Sequence, residues 1–210
     1  MLNLVFIGIQ GSGKGVQADL LEERFGFKHF DLGALLREHV KRDTPFGRRV
    51  DSYIKNGNLV PDDEIIEFIR ENIDDKCRGL ILDGFPRTIR QAEFIEDTIH
   101  INHAVYFALD DETATKRLSS RRICSQCRTG YNLLVKPPKV PNICDICGGR
   151  IEVRHDDHEA AITLRIERFH ELTEPIIELF KNQDKLITID ASPSPEEVHL
   201  ALIEKLNLNF

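Results

Sequence analysis

The sequence contains no apolar run that approaches the roughly 20 residues of a membrane-spanning helix. Positive charge is not in excess either, because 28 Lys and Arg face 35 Asp and Glu and the net charge is -7. This balance disfavours a surface that coats DNA or RNA. The sequence also lacks internal repeats, low-complexity tracts and a basic targeting region before the apolar residues 2–7. We therefore expect a cytoplasmic protein that binds neither membrane nor nucleic acid.

The chain is long enough for one full core with small insertions, because 41% of its 210 residues are hydrophobic. Short apolar runs, typical of parallel strands covered on both faces, occur at residues 4–7, 80–82, 104–109 and 186–189. Amphipathic stretches of helical period lie between them, as at residues 17–25 and 90–95. The alternation predicts a doubly wound α/β fold that binds ligands at the carboxyl ends of its strands.

Two segments interrupt this alternation. Residues 31–60 look entirely helical, whereas residues 122–157 are poor in helical signal and rich in Cys, Pro and Gly. Both are predicted to be insertions into the core. Residues 158–181 then show a long helical pattern, and residues 192–197 begin the last helix.

A glycine-rich turn joins the first predicted strand to the first helix. Gly8, Gly13 and Lys14 have the spacing of a phosphate-binding loop, in which backbone N–H groups and a lysine surround phosphate oxygens. Gly15 occupies the position where Ser or Thr normally ligates Mg²⁺, so other groups must hold the metal. Asp83, at the end of the second predicted strand, is predicted to hold it through water. The alternative is a glycine-rich turn without a ligand and an aspartate in an ordinary turn.

Four of the five cysteines form two CxxC pairs, Cys124 with Cys127 and Cys144 with Cys147. Four thiolates with this spacing suit tetrahedral Zn²⁺, and because they leave no open coordination position the zinc is predicted to be structural. Two disulfides are an alternative that a reducing compartment disfavours. A zinc-ribbon module for nucleic acid is another, which the missing basic stripe disfavours. Cys77 stands alone and is interpreted as a small buried or half-buried apolar residue.

Arginines concentrate at the edges of the two insertions and after Asp83. Any single one is most simply a solvated surface residue, but together they predict a phosphate cage, since guanidinium binds phosphoryl oxygens in pairs and stays charged. The set comprises Arg37, Arg87, Arg117, Arg121, Arg122, Arg154, Arg165 and Arg168. The eight histidines show no spacing typical of metal ligands. His155 and His158, beside Asp156 and Asp157, are interpreted as a solvated loop end.

With these motifs in family order over essentially the whole chain, the sequence resembles the adenylate kinase family, in its long, zinc-containing bacterial form. The matching motifs are residues 8–15 with Gln17, Gly33-x2-Leu36-Arg37, residues 57–62, residues 83–88 with Gln91, Arg121-Arg122, the four cysteines, and Arg154-x-Asp156-Asp157 with Arg165. The resemblance implies a P-loop fold of three layers with a parallel five-stranded sheet. It also implies a core of residues 1–30, 61–121 and 159–210, a helical monophosphate-binding insertion at 31–60 and a zinc-binding lid at 122–158.

The activity that the resemblance implies is reversible transfer of the γ-phosphoryl group of ATP to a nucleoside monophosphate, with AMP as the leading acceptor, by a monomer that uses Mg²⁺. On the ATP side, the residues matching the family's motifs are Gly11, Ser12, Gly13, Lys14, Gly15, Val16 and Arg121, with Gly130 and Tyr131 over the adenine. On the monophosphate side, they are Leu32, Arg37, Asn58, Leu59, Val60, Gly84, Phe85, Pro86, Arg87, Gln91, Arg154 and Arg165. Catalytic roles fall to Lys14, Arg87, Arg121, Arg154 and Arg165, and Asp83 would hold Mg²⁺ through water.

Three residues depart from the family pattern. Val16 replaces a Thr that contacts phosphate, Leu32 replaces a Thr that helps to recognise adenine, and Ala34 replaces an Asp. Related uridylate-cytidylate kinases carry a small apolar residue at the position of Leu32, so an acceptor such as UMP or CMP is an alternative. Gln91 favours AMP, because its amide can read an adenine edge. A nucleotide-binding protein without catalysis is a third hypothesis, which Val16 and Leu32 motivate.

Overall fold

A computed structural model describes residues 2–73, 79–154 and 156–208 of the chain, so Cys77 and His155 lie outside the described residues. The strands in this part are β1 (Leu4–Ile7), β2 (Lys28–Asp31), β3 (Leu80–Asp83), β4 (His103–Ala108), β5 (Arg121–Cys124), β6 (Gly130–Asn132), β7 (Ile151–Val153) and β8 (Leu186–Asp190). The helices are α1 (Lys14–Phe25), α2 (Leu32–Lys41), α3 (Pro45–Asn56), α4 (Asp62–Asn72), α5 (Ile89–Thr98), α6 (Asp111–Ser119), α7 (Glu159–Arg168), α8 (Glu174–Asn182) and α9 (Pro195–Lys205).

The central sheet is parallel and has the order β2-β3-β1-β4-β8. All residues of β1 and β3 are buried, as continuous apolar strands covered on both faces should be. The predicted α/β fold is therefore confirmed. The apolar pattern missed β2, because its sequence Lys-His-Phe-Asp contains a single apolar residue.

Side chains of β1 alternate between the two faces of the sheet and so divide the core into two layers. Val5 and Ile7 pack into a cluster that also contains residues of α2, α4, α5 and α8. Leu4 and Phe6 pack on the other face, among residues of α1 and α9. Helices thus cover both faces, which gives the predicted three layers. Among the described residues, no helix is long and apolar enough to cross a bilayer.

The two interruptions of the α/β pattern have different structures. Residues 31–60 contain α2 and α3, as the helical pattern predicts. The second interruption forms an antiparallel sheet in which β5 pairs with β6 on one side and with β7 on the other. Its buried cluster consists of Cys124, Tyr131, Cys144 and Ile151 alone among the described residues, and such a small core needs a further cross-link.

The long helical pattern after the lid is one continuous helical segment with a π-helical turn at Phe169–Thr173, between α7 and α8. The last helix, α9, begins after Ser194, whose hydroxyl accepts the N–H of Glu197 while the Glu197 carboxylate accepts the N–H of Ser194. This capping box explains why the helix begins within the predicted residues 192–197.

Candidate active site

The glycine-rich turn lies between β1 and α1 and places the positive N-terminus of α1 at the carboxyl edge of the sheet. A side chain at Gly8 is excluded, because its Cβ would lie 2.8 Å from the backbone oxygen of Phe107 and from Ser12 Oγ. Lys14 Nζ donates to the carbonyl oxygens of Gly8 at 2.7 Å and Ile9 at 3.1 Å. Burial lowers the pKa of Lys14 to about 8, although Asp83 partly opposes the shift. The ammonium group is therefore held over the loop, where phosphate oxygens would bind.

Gly15, the unusual residue of the loop, lies against Asp83. A Cβ at Gly15 would come 3.3 Å from Asp83 Oδ2, so the glycine makes room for the carboxylate beside the loop. Asp83 is 8% exposed; burial would raise its pKa, but His29 and Lys14 lower it below the usual value. An ionised carboxylate next to a phosphate loop fits a role in holding Mg²⁺ through water.

One cavity of about 1150 Å³ opens at the carboxyl edge of the sheet, where the α/β pattern predicts ligands. It is larger than the 300–1,000 Å³ of an ordinary small-molecule pocket and leaves room for two ligands. The residues predicted to bind nucleotide all line this cavity except Phe85 and Pro86. The Phe85 side chain is fully buried in the core, and Pro86 is buried as well, so neither is available to a base.

Asp156 and Asp157 are buried, whereas His158 beside them is exposed and His155 lies outside the described residues. The Asp157 carboxylate accepts two hydrogen bonds from Arg121 and one from Arg165. Asp156 accepts two from Arg154, at 3.2 and 3.0 Å, and one from Arg165 at 2.8 Å. Burial raises the pKa of each carboxyl, but the arginines lower both below the usual value. Two aspartates therefore hold three arginines in one cluster.

Arg37 and Arg87 differ from these three arginines in that neither forms an ion pair with any described residue. Arg37 makes no side-chain hydrogen bond within the described parts of the chain, and Arg87 Nε donates to the carbonyl of Gly84 at 2.8 Å. Burial lowers the pKa of Arg37 to about 10 and also lowers that of Arg87. Both line the cavity. Two partly desolvated guanidinium groups without carboxylate partners are suited to binding an anion.

Three other arginines of the predicted cage have partners outside the Asp156 and Asp157 cluster, although Arg117 and Arg122 also line the cavity. The Arg117 guanidinium donates to the carbonyls of Ala191 and Ser192, and that of Arg122 donates to backbone carbonyls beside it. Arg168 pairs with Glu171. Only part of the sequence-predicted arginine set is thus free to face a phosphate.

The pocket for the acceptor base is expected near Leu32 and Gln91, which both line the cavity. Leu32 is 3% exposed and offers no hydrogen bond. Gln91 is buried, and its amide is oriented by two bonds: Oε1 accepts the backbone N–H of Arg87 at 2.8 Å, and Nε2 donates to Asp62 Oδ1 at 2.7 Å. One N–H and one lone pair of this amide remain for a ligand.

The four cysteines converge as the spacing predicts. Their sulfur atoms all lie within 4.8 Å of one another, and two of the S···S distances are 3.5 Å. Four thiolates around Zn²⁺ at about 2.3 Å would be about 3.8 Å apart, so the group fits the metal. Tyr131, predicted to cover adenine, is 4% exposed and donates its hydroxyl to Cys144 Sγ at 3.3 Å. Its side chain therefore supports the cysteine cluster rather than facing a base.

Sequence reasoning missed His29, which lies beside Asp83 with Nε2 3.6 Å from Oδ2. Its Nδ1 lies 2.9 Å from Asp19 Oδ1. Burial would lower the pKa of His29, but the carboxylates of Asp19 and Asp83 raise it to about 10. The only sequence signal is His29-x-Asp31, because alternate residues of a strand share a face. That signal cannot be recognised unless β2 itself is predicted.

A parallel sheet with a glycine-rich loop after β1, a cavity lined by Lys14 and arginines at the carboxyl edge, and a second small sheet with four clustered cysteines are typical of a P-loop nucleotide kinase. The family model described as adenylate kinase matches residues 6–185. The chain is 40% identical to an adenylate kinase of Fervidobacterium nodosum, with 94% of each chain covered. It is 41% identical to that of Caldicellulosiruptor saccharolyticus (89% and 90% covered) and 37% identical to that of Bacillus licheniformis (98% of each). The chain belongs to the adenylate kinase family.

Proposed function

We propose that the protein transfers the γ-phosphoryl group of ATP to AMP, reversibly, to give two ADP. The observation that carries this proposal is the presence of two sets of cationic groups in one cavity. The phosphate loop with Lys14 is one of them, and the unpaired guanidinium groups of Arg37 and Arg87 are the other. A donor triphosphate and an acceptor monophosphate need two such sites.

Each anion site receives one nucleotide in this proposal. Residues 11–16 and Arg121 bind the phosphates of ATP, with the backbone at Gly130 and Tyr131 near its base. Arg37 and Arg87 bind the monophosphate, while residues 58–60, Leu32, Gly84 and Gln91 surround the acceptor base. Leu32 contributes only apolar contact, so Gln91 is left to recognise the adenine edge.

The chemistry needs positioning and neutralisation of charge more than a base, because the attacking atom is already a phosphate oxygen. Lys14, Arg87, Arg121, Arg154 and Arg165 bring positive charge to the transferred group. Asp156 and Asp157 fix the last three of these in place. Mg²⁺, held through water by Asp83, would neutralise further phosphate charge.

Two insertions close over the nucleotides in this mechanism: residues 31–60 on the monophosphate side and residues 122–158 on the ATP side. Closure excludes water, which would otherwise hydrolyse ATP. The lid carries a structural Zn²⁺ at Cys124, Cys127, Cys144 and Cys147, because its small core cannot order it alone. We further propose that the protein acts as a monomer in the cytoplasm.

The test is the initial rate of ADP formation from ATP–Mg²⁺ with AMP, UMP, CMP or GMP as acceptor. AMP should give the highest kcat/KM. A preference for UMP or CMP would replace the proposed acceptor and would agree with Leu32, whose buried side chain offers no polar group. Leu32→Thr should then shift the preference towards AMP. Binding of nucleotides without any transfer would overturn the proposal and favour a protein that has lost catalysis.

A further inference from the structure

Three side chains that could bind a metal lie together at the carboxyl ends of β2 and β3. His29 and Asp31 are two residues apart on β2, and Asp31 lies opposite Asp83 in the parallel pairing of these strands. One ligand atom from each residue, an imidazole nitrogen or a carboxylate oxygen, lies within 4.8 Å of the other two. Two different sequence segments therefore supply one compact set of possible ligands.

The Nε2 nitrogen of the His29 imidazole faces this set and takes part in no hydrogen bond among the described residues. The His29 side chain is only 9% exposed, and Nε2 is buried. Asp83 Oδ2 lies 3.6 Å from Nε2, within ion-pair distance. The other ring nitrogen, Nδ1, lies 2.9 Å from Asp19 Oδ1. Metal-binding histidines commonly donate this second N–H to a carboxylate, which orients the ring and leaves the lone pair for the metal.

We infer that His29 Nε2 and the carboxylates of Asp31 and Asp83 bind a divalent first-row transition-metal cation directly. One nitrogen and two carboxylate oxygens suit Mn²⁺ or a similar cation, whereas Mg²⁺ prefers oxygen ligands and keeps most of its water. Asp31 Oδ1 accepts the backbone N–H of Ala34 at 2.8 Å, which orients the carboxylate and leaves Oδ2 for a cation. The cation takes the place of a proton at Nε2.

The site differs from the one that the proposed function requires. There, Asp83 holds the cation of ATP–Mg²⁺ through water, and His29 has no part. Here the protein binds a cation without nucleotide and through a nitrogen. Asp31 also supplies a carboxylate close to Ala34, where this chain lacks the Asp of the family pattern. Three protein ligands leave coordination positions open for water, or for phosphate oxygens from the neighbouring loop.

The experiment measures Mn²⁺ binding to the nucleotide-free full chain with its cysteine site loaded with zinc. Free Mn²⁺ is followed by electron paramagnetic resonance, and the bound ion by the echo modulation that a coordinated ¹⁴N nucleus produces. We expect one Mn²⁺ per chain with a ¹⁴N signal. His29→Gln should abolish that signal and weaken Mn²⁺ binding at least tenfold, since even outer-shell changes cost about 10- to 100-fold.

Asp31→Asn is a second variant that preserves the fold, because Asn also caps a helix, and it should likewise weaken Mn²⁺ binding at least tenfold. His103→Gln is the matched control. It makes the same change at the first residue of β4, at the amino ends of the parallel strands, and should leave binding unchanged. Thermal unfolding and zinc content verify that each variant is folded.

The inference is overturned if the parent protein binds no Mn²⁺, if bound Mn²⁺ shows no ¹⁴N signal, or if neither variant weakens binding. None of these results bears on phosphoryl transfer, because the binding measurement contains no nucleotide. Failure of the proposed function would instead be seen as absence of ADP formation in the separate assay.

Discussion

Arg121 and Asp157 form a bidentate ion pair between the first strand of the lid and the residue that precedes the cap of α7. Arg121 Nε and Nη2 donate to the two carboxylate oxygens at 2.7 and 2.6 Å. The Asp157 side chain is completely buried. The pair therefore links the β5 strand to the chain segment that returns from the lid to the core.

Asp157→Asn should lower kcat by about 10²-fold, because Arg121 and Arg165 lose the charge that positions them and a misplacement near 1 Å has this effect. Removing one partner of a buried pair should also lower the free energy of unfolding by about 3 kcal/mol. Steady-state kinetics and denaturant unfolding measure the two effects. Glu152→Gln, an exposed change on β7 of the same lid, is the control and should alter neither.

Arg37→Met should raise the KM for AMP about 10- to 100-fold while the KM for ATP stays within about twofold. The reason is loss of charge-assisted hydrogen bonds to the monophosphate, each of which contributes about 1.5–3 kcal/mol. Arg48→Met makes the same change on the neighbouring helix α3, where the side chain is exposed and does not line the cavity, and should leave both constants unchanged. Equal effects of Arg37→Met on both substrates would contradict a site dedicated to the monophosphate.

The kcat/KM for ATP should fall as pH rises above about 8, because burial lowers the pKa of Lys14 to about 8. The ammonium form binds phosphate; it dominates below that pKa and is lost above it, so the decline approaches tenfold per pH unit. Lys14→Ala should remove both the activity and this pH dependence while the fold stays intact. A flat profile from pH 7 to about 9.5 in the parent protein would contradict a lowered pKa of Lys14 in this range.

Cys144→Ser should reduce zinc content and lower the melting temperature before it affects chemistry. The hydroxyl is a poor zinc ligand, and loss of about 2 kcal/mol corresponds to about 4–8 °C for a chain of this size. Metal analysis and thermal unfolding measure the change. A chelator should lower the melting temperature of the parent to that of the variant and leave the variant unaffected. Equal melting temperatures without chelator would contradict a structural zinc.

Much of the fold could be predicted because its strongest signals are local. The apolar runs of β1 and β3, the glycine spacing before Lys14 and the paired cysteines each depend on residues close in sequence. By contrast, β2 contains one apolar residue among Lys28, His29 and Asp31. Its strand conformation comes from pairing with β3, a contact between segments some 50 residues apart in sequence, and no local pattern reports it.

Most residues of the predicted site line one cavity, but the sequence did not show how their side chains are paired or buried. The sequence does not reveal that Asp156 and Asp157 are buried, because the arginines that pair with them come partly from other segments. Tyr131 looks available for a base, but the compact lid turns its hydroxyl to Cys144. Charge pairing and burial depend on neighbours in space, which the local pattern does not contain.

By itself, the sequence determined the α/β class, the glycine-rich loop before Lys14, the cysteine cluster that fits zinc and the family, because periodicity and short motifs encode backbone geometry and metal chemistry directly. Only the tertiary structure decided which arginines are paired and which are left for a phosphate, and that His29 faces Asp83. Those properties depend on which side chains meet when parallel strands end at one edge and two insertions pack beside it. Electrostatic energy is set by these distances and by burial.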